Sequence, residues 1–175
     1  EGLQYGMVTT DIDGDGLQDL VVRKVYLSFA RVIRALISGN VSLRLRFFRM
    51  TPDGSYDEEP NYETRTNVRF SMASGQIDIP AVAVDDFDGD GLKDLLMQKR
   101  PDELSLSRGV AGESLFSDDS VTIEAVLPRN GDLVASEDID GDGRSDLVMR
   151  YTAADGEQAA HIVRLLIARP ALSIE

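Results

Sequence analysis

The sequence predicts an all-β domain made of three repeats, and three observations carry that prediction. The decapeptide DIDGDGLQDL (Asp11–Leu20) recurs as DFDGDGLKDL (Asp86–Leu95) and DIDGDGRSDL (Asp138–Leu147). Each copy follows alternating or small apolar residues (MVTTD, AVAVDD, LVASED) and precedes a short apolar run (LVVRK, LLMQK, LVMRY), which reads as strand, tight acidic loop, strand. Hairpin-type dipeptides punctuate the remainder at Asp53-Gly54, Asn130-Gly131 and Asp155-Gly156.

Taken in order, the elements support this reading. The motifs start at Asp11, Asp86 and Asp138, intervals of 75 and 52 residues, which divide the 175-residue chain into units of roughly 1–75, 76–127 and 128–175. Val41–Phe47 alternates apolar residues with Ser42, Arg44 and Arg46, a strand with one wet face on which Arg44, Arg46 and Arg49 lie. Leu104–Ser107 and Val121–Val126 read as strands too, and Pro80 ahead of AVAV argues against a helix there. Ser28–Ile37 has two readings. Phe29, Val32, Ile33, Leu36 and Ile37 fall on one helical face, with Gly39-Asn40 as a stop. The stretch also matches Gln158–Ile167 at four of ten positions, where a β repeat calls for a strand. An insertion near 25–40 would account for most of the 23-residue difference between the intervals.

Composition narrows the function. The formal charge of −13 comes from 31 acidic and 18 basic residues, and 12 of the acids belong to the motifs; without them the count is 19 against 18. The acidity is therefore local, a field that attracts cations and repels nucleic acid and anionic membranes. No cysteine is present, which excludes disulfides, thiolate metal sites and a cysteine nucleophile. No apolar run is long enough to span a membrane. Opening on Glu1, the sequence reads as a processed chain or a piece of a longer one.

The motif has the logic of an oxygen cage. Carboxylates at positions one, three and five of a curled loop converge on one point, the carbonyl at position seven can add an oxygen, and the aspartate at position nine closes the shell. In the first copy these are Asp11, Asp13, Asp15, Leu17 and Asp19. Such a donor set favours Ca²⁺ over Mg²⁺, which prefers a smaller octahedron, and over Zn²⁺, which recruits His or Cys. Gly14 and Gly16 allow the left-handed turns that aim the carboxylates inward. Ile12, Phe87 and Ile139 at position two should anchor each loop to the core. Four carboxylates without a cation repel one another, so the loops are expected to be slack without one. An EF-hand requires a Glu at position twelve, where Val22, Met97 and Met149 stand, and helical flanks.

The three segments DIDGDGLQDLVV, DFDGDGLKDLLM and DIDGDGRSDLVM resemble the calcium-binding loops of FG-GAP or VCBS-type repeats, the family that includes the β-propeller of integrin α subunits. The resemblance implies that each loop joins the first two strands of a four-stranded propeller blade. It also implies three Ca²⁺ sites: Asp11, Asp13, Asp15, the Leu17 carbonyl and Asp19; Asp86, Asp88, Asp90, the Leu92 carbonyl and Asp94; Asp138, Asp140, Asp142, the Arg144 carbonyl and Asp146. The Phe-Gly and Gly-Ala-Pro signatures of the family are not visible, which points to the VCBS-like branch. Three motifs are fewer than the four to eight blades of a closed propeller, so the chain is expected to be a segment of a larger one.

Catalytic signatures are not visible: no Gly-x-Ser-x-Gly elbow, P-loop or dinucleotide fingerprint occurs, and the single histidine, His161, reads as a surface or interface residue. Asp85 reads as an outer neighbour of the second site and Asp118-Asp119 as a solvated turn. The sequence is thus expected to be a non-enzymatic, calcium-stabilised module of an extracellular, periplasmic or cell-surface protein. Its partners would be a protein or carbohydrate ligand and the remainder of a larger propeller or other subunits. The resemblance also implies a second, alternative role, part of a secreted polysaccharide-degrading enzyme, and a third is an assembly component of a large surface or toxin complex docking through Ser28–Ile37.

Overall fold

A computed structural model describes residues 2–26, 28–112 and 114–170. Among the described residues twelve strands and one α-helix occur in the order β1 (Gly2–Thr10), β2 (Asp19–Tyr26), α1 (Phe29–Ser38), β3 (Asn40–Phe48), β4 (Tyr62–Phe70), β5 (Ile77–Asp78), β6 (Val82–Asp85), β7 (Asp94–Arg100), β8 (Glu103–Gly109), β9 (Phe116–Glu124), β10 (Val134–Glu137), β11 (Asp146–Arg150) and β12 (Val163–Leu166). The strands form three antiparallel sheets in simple sequence order: β1 to β5, β6 to β9 and β10 to β12. The all-β expectation is met, and each acidic motif joins the first two strands of its sheet. Among the described residues only the second sheet has four strands; the first gains the two-residue β5, and the third has three.

The apolar alternation determines how the sheets pack. Leu43, Leu45 and Phe47 of β3 point inward and meet Leu95 and Met97 of β7, Leu115 and Phe116 in a first core cluster that also takes Ile12. Phe47, Tyr62 and Phe116 stack edge to face with ring centroids 5.0 to 5.9 Å apart. Leu96, on the other face of β7, joins Phe87, Leu104, Leu147, Met149 and Tyr151 in a second cluster between the second and third sheets. The middle sheet is therefore covered on both faces, which explains why β7 reads as a continuous apolar run. The position-two anchors follow the same progression. Ile12 is 0% exposed and Phe87 9%, whereas Ile139 is 42% exposed, because no described sheet lies over the outer face of the third.

Residues 28–38 resolve to the helical reading. The Ser28 hydroxyl accepts from Arg31 N, and Gly39 ends α1 in the left-handed conformation at φ 65°. Of the matching stretch after the third motif, Val163–Leu166 forms β12 and the residues before it a turn, so local similarity did not imply the same structure. No residue of α1 is buried, and Phe29 and Ile37 remain 85% and 83% exposed. The helical connection accounts for about half of the 23-residue difference between the intervals, and not for most of it as expected. Residues 27–39 replace the two-residue turn 101–102, while the β3–β4 loop takes thirteen residues (49–61) where β8–β9 takes six (110–115).

Two further expectations change. Asp118 and Asp119 lie within β9, where its register with β8 shifts, so they are not a turn. Asn130-Gly131 is not a hairpin turn: Asn130 caps a 3-10 turn, Gly131–Leu133. Gly131 is required there by close approach. Its N–H donates to Ile79 O at 2.7 Å, and a Cβ would sit 2.3 Å from Ala81 N. The Asp53-Gly54 hairpin does form, with Thr51 N donating to Ser55 O at 2.9 Å.

Gly131→Ala tests the junction between the second and third sheets. Reduced unfolded-state entropy would stabilise the variant by about 0.4–1 kcal/mol. The backbone clash outweighs this, and chemical denaturation should show a net loss of at least about 2 kcal/mol with an unchanged m-value.

Candidate metal centres

The loops are built on one hydrogen-bond scheme repeated three times. The position-one carboxylates, Asp11, Asp86 and Asp138, accept from both glycine N–H groups of their loops: Gly14 and Gly16, Gly89 and Gly91, Gly141 and Gly143, at 2.6 to 3.0 Å. These glycines have φ of 74° to 90°, the left-handed region that curls the loop around the carboxylate. Position three accepts from the N–H of position five at 3.2 to 3.3 Å (Asp13, Asp88, Asp140), and position five accepts from position seven at 2.8 to 2.9 Å (Asp15, Asp90, Asp142). The position-seven donors are the N–H groups of Leu17, Leu92 and Arg144. Loop shape thus has an internal hydrogen-bond scaffold.

Position nine has a larger role than the spacing alone indicates. Asp19, Asp94 and Asp146 are 0%, 0% and 1% exposed. One oxygen of each accepts from position two of its own loop (Ile12, Phe87, Ile139) at 2.9 to 3.0 Å. The other accepts from the end of the third strand or just beyond it (Met50, Gly109, Ala168) at 2.8 Å. These aspartates clamp the loop to the sheet. Burial pushes the Asp19 and Asp94 carboxyls above the usual carboxylate range; the two N–H groups oppose the shift, and the other loop carboxylates reinforce it.

The carboxylates converge as expected of cation sites. Oxygens of Asp11, Asp13 and Asp15, of Asp86, Asp88 and Asp90, and of Asp138, Asp140 and Asp146 each lie within 4.8 Å of one another. In the third loop Asp146 stands in place of Asp142, whose Oδ2 pairs with the Arg144 guanidinium at 3.3 Å. The donors are all hard oxygens, and Asp13 Oδ2 is buried without a hydrogen bond. This set fits a hard divalent cation.

Arginines, which the sequence reading left on a wet strand face or did not single out, complete the electrostatics. Arg49 Nε lies 2.5 Å from Asp13 Oδ2 and its Nη2 3.7 Å from Asp15 Oδ2; the short contact to Asp13 lacks hydrogen-bond geometry. Arg108 pairs with Asp88 at 3.3 Å and Arg169 with Asp140 at 3.2 Å. Every position-three carboxylate therefore has an arginine partner. The available signal was an arginine next to the third-strand residue that binds position nine, in FRM, SRG and ARP. Arg44 and Arg46 do lie on the strand face, paired with Glu63 and Glu59. Asp85 pairs with Lys93 at 2.8 Å; burial raises its carboxyl, and bonds from Lys93, Ser136 and Ser145 outweigh that and hold it below the usual range.

The three loops also touch in series. Lys93 N of the second donates to Ile12 O of the first at 2.8 Å, and Ser145 N of the third donates to Asp86 O of the second at 2.6 Å. Arg144 Nε adds a bond to Asp88 O at 2.9 Å. The centres thus form one row along one edge of the molecule. No protein-family model, curated protein or solved structure matches the chain.

Because Arg49 competes for the Asp13 oxygen, Arg49→Met should tighten divalent-cation binding at the first loop by about two- to fivefold, in keeping with a partly exposed ion pair. Calorimetric titration with CaCl₂ measures this; weaker binding would make Arg49 a support of the site and not a competitor.

Proposed function

We propose that the chain is a calcium-binding repeat module, a segment of a β-propeller of the FG-GAP or VCBS type, whose three ions stabilise a scaffold used for adhesion or for protein or carbohydrate recognition. The observation that carries this reading is the threefold identity of the loops. Three hydrogen-bond schemes agree atom for atom, and each gathers three carboxylates. Chance acidic turns would not share a scheme of this length.

Ca²⁺ is favoured by the hard oxygen donors, which are all carboxylates or carbonyls. A cation at each site would relieve the repulsion among carboxylates that are close together and partly buried, and so contribute to folding stability. The propeller reading is supported by the loop position between the first two strands, and by β6 and β10, first strands of neighbouring sheets, running close together. Ile139, Val163 and Leu165, exposed on the third sheet, are where a further blade would pack. Ligand sites of modest affinity suit an extracellular, periplasmic or surface setting, where calcium is abundant.

Titration calorimetry should find about three Ca²⁺ ions per chain. Saturating Ca²⁺ at a hundredfold excess over Kd should add about 2.7 kcal/mol per ion and raise Tm accordingly. No binding and no change of Tm on chelation would remove the calcium reading.

A further inference from the structure

The metal loops occupy one end of the strands; the opposite end has the reverse charge. β2 starts at the first loop and ends at Tyr26, and β3 pairs Asn40 with Arg69 at that same far end. β7 likewise runs from the second loop to Arg100. Two adjoining grooves open there, about 520 and 550 Å³ in volume, and share Asn40, Arg65 and Asn67. The first is lined by Arg65, Arg69, Lys99, Arg100 and Arg129; the second adds Arg31, Arg34 and Arg44. Eight of the chain's 18 basic residues thus line one continuous depression. Among the described residues its single acidic lining group is Asp78, which accepts from Gln76 at 2.8 Å.

This accumulation costs the fold energy. Arg44 lies directly opposite Lys24 on one neighbouring strand and Arg65 on the other, and like charges in cross-strand register are destabilising. Glu63 offsets part of the row, at 2.9 Å from Arg44 and 3.8 Å from Arg65, and Glu103 pairs with Arg100. Arg34, Arg69, Lys99 and Arg129 are exposed and have no acid within ion-pair distance among the described residues.

We propose that this groove binds an anionic polysaccharide, a sugar chain bearing sulfate or carboxylate groups along its length. The guanidiniums match such groups in charge and planar geometry. The side-chain amides of Asn40, Asn67 and Gln98 lie among them and suit sugar hydroxyls. Single-stranded nucleic acid fits less well. Its bases need open aromatic faces, whereas Tyr26 is approached by Lys24, Arg31 and Arg44 at 4.6 to 5.5 Å. The inference gives the recognition role proposed above a ligand class, and it rests on the groove and not on the metal loops.

The test is fluorescence anisotropy in saturating Ca²⁺ with labelled dextran sulfate, carboxymethyl-dextran, uncharged dextran and a dT oligonucleotide of similar length. Dextran sulfate, carboxymethyl-dextran or both should bind, with an affinity that falls steeply as NaCl rises, and uncharged dextran should not. Arg65→Gln/Arg69→Gln/Arg129→Gln should weaken binding about tenfold or more, as expected for loss of three charge contacts, with Tm and Ca²⁺ stoichiometry unchanged. Arg150→Gln, outside the groove, should bind as the parent does. If the triple variant does not fold, the exposed pair Arg34→Gln/Lys99→Gln replaces it and should weaken binding severalfold. Equal affinity of the groove variants and the parent, or no charged dextran binding above that of uncharged dextran, overturns the proposal; so does dT binding as tight as that of the charged dextrans, which makes the groove a nucleic-acid site. A chain that binds Ca²⁺ but neither charged dextran overturns this inference alone, and one that binds a charged dextran but no Ca²⁺ overturns only the metal reading.

Discussion

The rest of the structure depends on a buried carboxylate that accepts two backbone N–H groups from different parts of each repeat. Asp19, Asp94 and Asp146 are almost wholly removed from water, and an ionised group in that position is tolerated only when its oxygens are satisfied. Each clamp binds its own loop through position two and the end of its third strand, or the residues just beyond it, through Met50, Gly109 or Ala168. A hydrogen bond to a charged acceptor is worth about 1.5–3 kcal/mol, and an orphaned partner costs a similar amount, so the loop cannot open without disturbing the sheet edge. The side chain next in sequence, Leu20, Leu95 or Leu147, continues directly into the second strand, two of them buried in the core.

That coupling makes the acidic edge one object. Position-two side chains tie the first two loops to the two core clusters, and the Lys93 and Ser145 amides tie each loop to the one before it. Tyr56 braces the first loop from outside by donating to Gln18 O at 2.7 Å. The arginines at position three reduce the repulsion of twelve carboxylates gathered along a single edge. The cationic groove lies at the opposite strand ends, so a molecule with a strong net negative charge presents two faces of opposite sign.

Much of this was legible in the sequence, for identifiable reasons. The loops were readable because their glycines and aspartates act locally: Gly14 and Gly16 bend the chain, and Asp11 bonds the amides of those same residues. The strands were readable because burial alternates along them, as in β3. Contacts distant in sequence were not readable. Nothing local to Asp94 indicates Gly109 N as its partner, and Arg49 looks like part of a wet strand until the β3–β4 loop brings it over Asp13. Gly131 resembled a turn residue because its requirement, close passage over Ala81, comes from a chain segment fifty residues away. The basic groove was hidden because its basic residues come from α1, β3, β4, β7 and the linker after β9, and net charge averages it away.

Amide hydrogen exchange at Met50, Gly109 and Ala168, with Ile12, Phe87 and Ile139 on the other arm, tests the clamp most directly. If the buried aspartates hold loop and sheet together, the Met50, Gly109, Ile12 and Phe87 amides, whose clamps are wholly buried, exchange only with global unfolding and those of the third repeat nearly as slowly. Exchange at the rate of open loop amides while the core strands stay protected would contradict the account.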